Sequence, residues 1–281
     1  MPCPLCGSQI THKFLTLQEF FYLKCSHCAL VFLGPEAPFE GGNVYTLEYI
    51  QKRGHDLQGS CIVKAKEATA QHYFSLAEKY VPKGNLLEVG CSTGIMLKVA
   101  QKRGWGIHGI EINTSAAAIA AQTLGVKTVE AKELTDDMFQ GKMFSLIVLF
   151  DVIEHISDPV PFMNTLRKKM TSTGHILFVT PDINSLSAKI LRNKWPHLMP
   201  EHTRLYSRES MNFLLEKTHF KEVKSGWAGK FVNVEILRRH LECHPHILFS
   251  RQLQSFLKNL PLLNEVIFPF NLGEMYVIAS K

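Results

Sequence analysis

Two groups of residues in this chain carry chemistry by their type and spacing. The first is a cysteine quartet, Cys3 and Cys6 in "CPLCG" and Cys25 and Cys28 in "CSHCALVF", two C-x2-C pairs separated by eighteen residues. Two residues between thiolates let each pair wrap a tight turn and offer both sulfurs to one ion, and the interval fits a tetrahedral four-sulfur zinc site. A pair of disulfides is the competing reading, which a reducing compartment disfavours. Because cysteines fill all four positions, such a zinc is structural, with no place left for water. His12 and His27 lie near enough in sequence to substitute as ligands, but nothing in the spacing demands them. Cys61, Cys91 and Cys243 follow no pattern and read as small packing residues.

The second group surrounds "NLLEVGCSTG", a strand that turns through Gly90 and Gly94 into a helix. In open α/β sheets ligands bind outside the carboxyl ends of the strands, at turns of this kind. A dinucleotide turn, G-x-G-x-x-G, needs a middle glycine, and here Cys91, Ser92 and Thr93 stand between the two glycines. Glu88, two residues before Gly90, would repel a pyrophosphate. S-adenosylmethionine carries a sulfonium and an ammonium and no phosphate, so charge selects it. Glu111 ends "GIHGIEI", seventeen residues after Gly94, where an acid accepts hydrogen bonds from ribose hydroxyls of either ligand. Further along, "DVIEHISDP" supplies Glu154 and His155, and "PEHTRLYS" supplies Glu201, His202 and Tyr206. Histidine titrates closest to neutrality and is the default base. His202, in a polar loop segment, is favoured over His155, which caps the next helix or binds a carbonyl as readily as it serves a site. Trp195 is expected either to wall a pocket or to be buried as a structural residue.

Those residues need strand ends to stand on, and the sequence supplies them by alternation. "NLLEVG", "GIHGIEI", "VKTVEA", "FSLIVLF" and "GHILFVTP" read as strands. Between them Ile95 to Arg103, Ser115 to Leu124 and Asp158 to Met170 read as helices, the last with Pro159 in its first turn. Continuous apolar strands between helices mean a parallel sheet covered on both faces, so a doubly wound, Rossmann-like α/β fold is predicted. In front of it "THKFLTL" and "FFYLKC" are short strands of a zinc ribbon over residues 1–33. Residues 34–60 are rich in Gly and Pro and read as a linker, which leaves 61–281 for the main domain. A helix covers Cys61 to Tyr80. Later, Ser207 to Phe220 has a serine cap and helical spacing, a strand follows near "KEVKSGW", and Asn233 to Leu260 reads as mainly helical, interrupted at Pro245. That last stretch is expected to cover the pocket or to build a homodimer interface. "EMYVIAS" closes the chain as a strand.

Composition narrows the function classes. With 281 residues, 46% of them apolar, the chain can bury a full core. It has no run of about 18 apolar residues, and "MPCPLCGSQI" has neither a basic nor an apolar leader region, so a cytoplasmic protein without membrane contact is expected. The net charge of +6 comes from 31 basic and 25 acidic residues scattered without a block. That pattern argues against nucleic acid as partner and suits an anionic small molecule, though solvated surface charge explains it better.

"LLEVGCSTGIML", "GIEIN", "FSLIVLFDVIEHISDP" and "GHILFVTPD" resemble the successive motifs of class I S-adenosylmethionine-dependent methyltransferases, over roughly Asn85 to Asp182, and "EMYVIASK" is similar to that family's last strand. The resemblance implies a seven-stranded sheet with its last strand antiparallel and helical additions before that strand. It implies that Glu88, Gly90 and Gly94 line the methionine end of S-adenosylmethionine, that Glu111 binds the ribose, and that Ala131 to Leu134 approaches the adenine; Cys91 and Ile112, beside them, are expected among the cofactor-binding residues. Phe150 and Asp151 would flank the cofactor. The adenine loop "VEAKELT" departs from the family pattern by lacking its usual aspartate. With the ribbon in front, and with Tyr45 and Tyr49 in the linker, the chain resembles a subset that includes sugar C-methyltransferases. The implied reaction is in-line methyl transfer to a small-molecule acceptor, a nucleotide sugar or glycan precursor among the candidates, with His202 and His155, assisted by Glu154 or Tyr206, removing the acceptor's proton. Two rivals are a nucleic-acid methyltransferase gripping RNA with its ribbon and a non-enzymatic binding module. The first lacks the N/D-P-P-Y/F of exocyclic-amine enzymes, having "DVIE" in that place, and the second has no need for the intact acids and glycines.

Overall fold

The computed structural model describes residues 1–17, 20–35, 61–125, 129–243, 250–258 and 265–281. Most of the expected linker, with Tyr45 and Tyr49, and the expected break at Pro245 lie outside the described residues. The chain opens with three short strands, β1 (Thr11–Thr16), β2 (Phe21–Cys25) and β3 (Val31–Leu33). Helix α1 (Cys61–Ala77) leads into β4 (Asn85–Val89), α2 (Ile95–Lys102), β5 (Gly106–Ile110), α3 (Thr114–Leu124) and β6 (Val129–Glu130). Next come β7 (Phe144–Phe150), α4 (Pro159–Lys168), β8 (Met170–Pro181), α5 (Leu186–Leu191), β9 (Arg204–Leu205), α6 (Arg208–Lys217) and β10 (Lys221–Trp227). The chain finishes with β11 (Lys230–Val232), α7 (Val234–Cys243), α8 (Ser250–Lys258), β12 (Phe268–Phe270) and β13 (Glu274–Ser280).

Seven strands form one sheet in the order β10-β13-β8-β7-β4-β5-β6. Strands β4 to β8 pair in parallel, while β13 runs antiparallel to both its neighbours, as the resemblance implies. The central strand β7 explains why the sheet is buried on both faces. Leu146, Ile147, Val148 and Leu149 are all fully buried, alternately toward one core cluster and the other. Each such side chain contributes roughly 1.5–3 kcal/mol. Strand β8 starts at Met170, four residues before the expected Gly174, because Phe144 pairs with Met170 across an irregularity and Phe144 N–H donates to the Lys169 carbonyl. Helix α4 therefore ends at Lys168.

The ribbon is fused to this sheet's core. Strand β3 pairs antiparallel with β9, Val31 opposite Leu205 and Phe32 opposite Arg204, so the ribbon sheet gains a strand from beyond β8. Cys3, Leu5, Cys25, Cys28, Leu30 and Phe32 belong to the same buried cluster as Leu149 and Phe178. The Lys217 ammonium of α6 donates to the Leu5 carbonyl at 2.9 Å, and the Tyr22 hydroxyl lies 2.8 Å from the Met199 carbonyl and 3.1 Å from that of His202. No described helix is long and apolar enough to cross a membrane.

Candidate active site

The turn after β4 is shaped by two glycines at positive φ, +75° at Gly90 and +80° at Gly94. A Cβ at Gly90 would stand 2.6 Å from Val152 Cγ2, and one at Gly94 would meet Ala120 Cβ at 3.1 Å. Gly90 thus lets the turn press against the end of β7, and Gly94 lets α2 start against α3. The Gly90 and Cys91 N–H groups both donate to the Ile110 carbonyl, which ties the turn to the tip of β5. There the Glu111 carboxylate accepts from Ser92 N–H at 2.8 Å on one oxygen and from Asn113 N–H at 2.9 Å on the other. Both oxygens are thereby oriented and keep lone pairs for further donors.

A cavity of about 850 Å³ opens over these strand ends. Its wall includes Gly90, Ser92, Glu111, Ile112 and Asn113 on one side, with Glu133 and Leu134 beside them. Phe150 and Asp151 stand in the middle, and Glu154, His155, His197 and His202 at the far end. Helix α7 roofs part of it through Ile236, Leu237 and His240, so this helix covers the pocket. Three residues expected at the ligand lie behind the wall. Glu88, Cys91 and Gly94 pack beneath the turn, and burial, reinforced by the Glu111 charge, pushes the Glu88 carboxyl well above its ordinary range. Tyr206 also misses the cavity. It is fully buried in the core, with its hydroxyl unpartnered and its titration pushed up by burial, so it drops out of the proton-handling set. Trp195 is a structural residue whose indole N–H lies 3.1 Å from the Leu272 carbonyl.

The far end has a definite proton arrangement. His155 Nδ1 lies 2.8 Å from the Glu201 carbonyl, and His202 Nδ1 lies 2.8 Å from the His197 carbonyl. A carbonyl only accepts, so each Nδ1 carries a hydrogen. Burial, with the neighbouring His155 and His197, holds His202 well below its ordinary value and keeps it neutral. Burial and the Asp151 charge push Glu154 up to about 8. Its Oε2 accepts from the Thr180 hydroxyl at 2.9 Å, and Oε1 is buried without a partner. Sequence patterns gave no sign of Lys230. It reaches Asp151 at 2.8 Å and Glu274 at 3.2 Å from β11, a strand too short for a periodic signal. Enclosure alone would lower the Lys230 ammonium, but the two carboxylates raise it, and it in turn holds Asp151 below its usual range despite the cost of burial.

In the ribbon the four sulfurs lie within 4.8 Å of one another, with Cys3 to Cys28 and Cys6 to Cys25 each at 3.5 Å. A disulfide holds its sulfurs about 2.05 Å apart. Zinc–sulfur bonds of about 2.3 Å set tetrahedral sulfurs roughly 3.8 Å apart, so the cluster fits a zinc ribbon.

The sequence profile of a family described as a methyltransferase domain matches residues 48–225, well over half of the chain. The chain belongs to that methyltransferase family. Among its relatives, the ubiquinone biosynthesis O-methyltransferase of Acinetobacter baumannii is 25% identical over 108 residues, covering 36% of this methyltransferase and 46% of the relative. That of Rhizobium leguminosarum is 29% identical over 113 residues, covering 38% and 43%. This methyltransferase therefore spans less than half the length of those relatives. Among solved structures, a SAM dependent methyltransferase from Archaeoglobus fulgidus is 18% identical, with 77% of this chain and 94% of that one covered at a TM-score of 0.51. At that identity the likeness speaks for the fold.

Proposed function

We propose that this methyltransferase moves the methyl group of S-adenosylmethionine onto a small-molecule acceptor, with the acceptor's proton removed at the Glu154, His155 and His202 corner. The observation that carries this is the Glu111 carboxylate, both oxygens fixed by backbone N–H groups, on the wall of a cavity whose other end holds two histidines with Nδ1 fixed on backbone carbonyls. Bound S-adenosylmethionine supplies a sulfonium methyl group that an aligned nucleophile attacks in line. Glu111 accepts the ribose hydroxyls, and Ile112 with Leu134 covers the apolar face of the base. Gly90 admits the ligand's backbone-proximal edge, while Glu88 and Gly94 hold the turn from behind. Phe150, stacked on Tyr73 at 5.3 Å, and Asp151, pinned by Lys230, close the middle of the cavity. Neutral imidazole Nε2 accepts a proton from a hydroxyl, an amine or an acidic carbon.

A volume of about 850 Å³ suits a nucleoside and a small acceptor together. The relatives' names place them as O-methyltransferases of ubiquinone biosynthesis, which supports a small acceptor, and the ribbon joined to this domain supports a nucleotide sugar or glycan precursor as the class to screen first. The cysteine quartet holds structural Zn2+. The test is incubation of the zinc-replete full chain with methyl-tritiated S-adenosylmethionine and separate panels of nucleotide sugars, phenolic acceptors and RNA. Label carried into a small molecule supports the proposal, and label only in RNA would move the function to the nucleic-acid class.

A further inference from the structure

Glu154, His155 and His202 bring one carboxylate oxygen and one ring nitrogen each to within 4.8 Å of one another, from a 3-10 turn after β7 and from the loop before β9. We infer that this corner is a second metal site, distinct from the ribbon, which takes one divalent transition-metal ion and leaves coordination places open to an oxygen of the acceptor. The inference rests on the proposed methyl-transfer site and says how its acceptor is held.

Donor type, burial and surroundings all support it. Two imidazoles and a carboxylate form the ligand set of catalytic zinc and non-haem iron(II) sites, in which the positions left open take water or substrate. Each donor is also oriented from outside. His155 Nδ1–H donates to the Glu201 carbonyl, His202 Nδ1–H to the His197 carbonyl, and the Thr180 hydroxyl donates to Glu154 Oε2. Metal-bound histidines are held in this way, with the far nitrogen's proton on a carbonyl or carboxylate so that the near nitrogen offers its lone pair.

The second, independent sign is Glu154 Oε1. It is fully buried, lies on a residue that lines the cavity, and has no hydrogen-bond partner. A buried carboxylate oxygen without a donor is costly, and a cation bound by the carboxylate removes that cost. Asp151, also on the cavity wall, adds a negative charge near the cluster, which the Lys230 ammonium 2.8 Å from it partly offsets. Placed there, the ion stabilises the deprotonated form of a bound hydroxyl or enol, whose proton leaves to solvent. The corner still removes the acceptor's proton, but His155 and His202 do so as ligands of the ion and not as bases.

Cobalt(II) separates this site from the ribbon. Four thiolates give cobalt an intense sulfur-to-metal charge-transfer band, whereas nitrogen and oxygen donors give only weak visible bands. The zinc-replete full chain is titrated with Co2+, followed optically and by metal analysis, alongside calorimetry with S-adenosylmethionine. The expected result is one Co2+ per chain beyond the ribbon zinc, without the charge-transfer band. Affinity should fall tenfold or more in Glu154→Gln and in His155→Asn, and about tenfold in Thr180→Val, which only orients Glu154. Melting curves identify any variant that fails to fold, and Thr180→Val is the mild substitution that keeps the test open in that event. Cobalt that enters only by displacing ribbon zinc, or that binds folded Glu154→Gln as tightly as the parent, overturns the inference. Binding of S-adenosylmethionine without Co2+ would remove the metal site and leave the methyl-transfer proposal standing, while Co2+ binding without S-adenosylmethionine would do the reverse.

Discussion

Replacing Tyr22 by Phe removes one hydroxyl from the ribbon and should loosen the loop that carries His202. In the parent that hydroxyl lies 2.8 Å from the Met199 carbonyl and 3.1 Å from the His202 carbonyl, and the ring is fully buried beside Trp195 and Leu205. Phe fills the same space, so no cavity forms and the change isolates the hydrogen bond. The Met199 carbonyl keeps the His202 N–H as donor, whereas the His202 carbonyl loses the hydroxyl. A net hydrogen bond is worth about 1 kcal/mol and a buried acceptor left bare adds to that, so a loss of about 1–2 kcal/mol is expected. Urea unfolding of the zinc-replete protein measures it as a lower midpoint at unchanged slope. Binding of S-adenosylmethionine should stay within twofold, because Glu111 and Gly90 stand at the other end of the cavity, while turnover falls with the displaced His202. An unchanged midpoint and unchanged turnover would refute the idea that the ribbon supports the site.

Gly90→Ala should cost about 1–3 kcal/mol, from the positive φ and from a Cβ 2.6 Å from Val152 Cγ2. Adding Val152→Ala should restore part of the loss in thermal melts, since it relieves the contact but not the φ, and an unaffected single variant would contradict the geometry. Cys6→Ser should lower the zinc content and the melting temperature together, because ribbon cysteines and the main core form one cluster. Retention of one tightly held zinc per chain would show that Cys6 is not a ligand. Glu78, which accepts from Arg103 at 2.6 Å and from the Trp105 indole at 3.0 Å, is held below its ordinary value first by the Arg103 hydrogen bond. Its contribution, about 1 kcal/mol, is present above the unfolded-state value and is lost as pH falls through the lower folded-state value. The stability gap between parent and Glu78→Gln should therefore close in acid, and a gap constant from neutral pH down through the carboxylate range would contradict the assignment.

What the sequence made legible was set by how local the signals are. "FSLIVLF" announced a doubly covered strand because all its neighbours are apolar, and Glu111 announced itself by ending a strand at a fixed distance from the glycine turn. The cysteine spacing was equally local, and the sulfurs converge as it requires. Long-range pairing was not legible. The two residues of β9 become a strand only because Val31 and Phe32 lie beside them, and this pairing welds the ribbon to the main core. Lys230 and Glu274 lie forty-four positions apart in the chain, and the antiparallel return of β13 brings them together. Tyr206 failed for a related reason. A tyrosine one residue before a helix cap looks accessible in sequence, yet its ring faces the core where β9 passes the end of β8. Glu88 sits on a strand interior, and the alternation of side chains there sends it behind the turn it was expected to serve.

The most direct measurement is calorimetric titration of the zinc-replete full chain with S-adenosylmethionine, run beside the Glu111→Ala variant. The parent should bind at micromolar concentration, and the variant, keeping its zinc and its melting temperature, at least tenfold more weakly. No binding by the parent, or equal affinity in the two proteins, would contradict the claim that the Glu111 corner of this cavity receives the methyl donor.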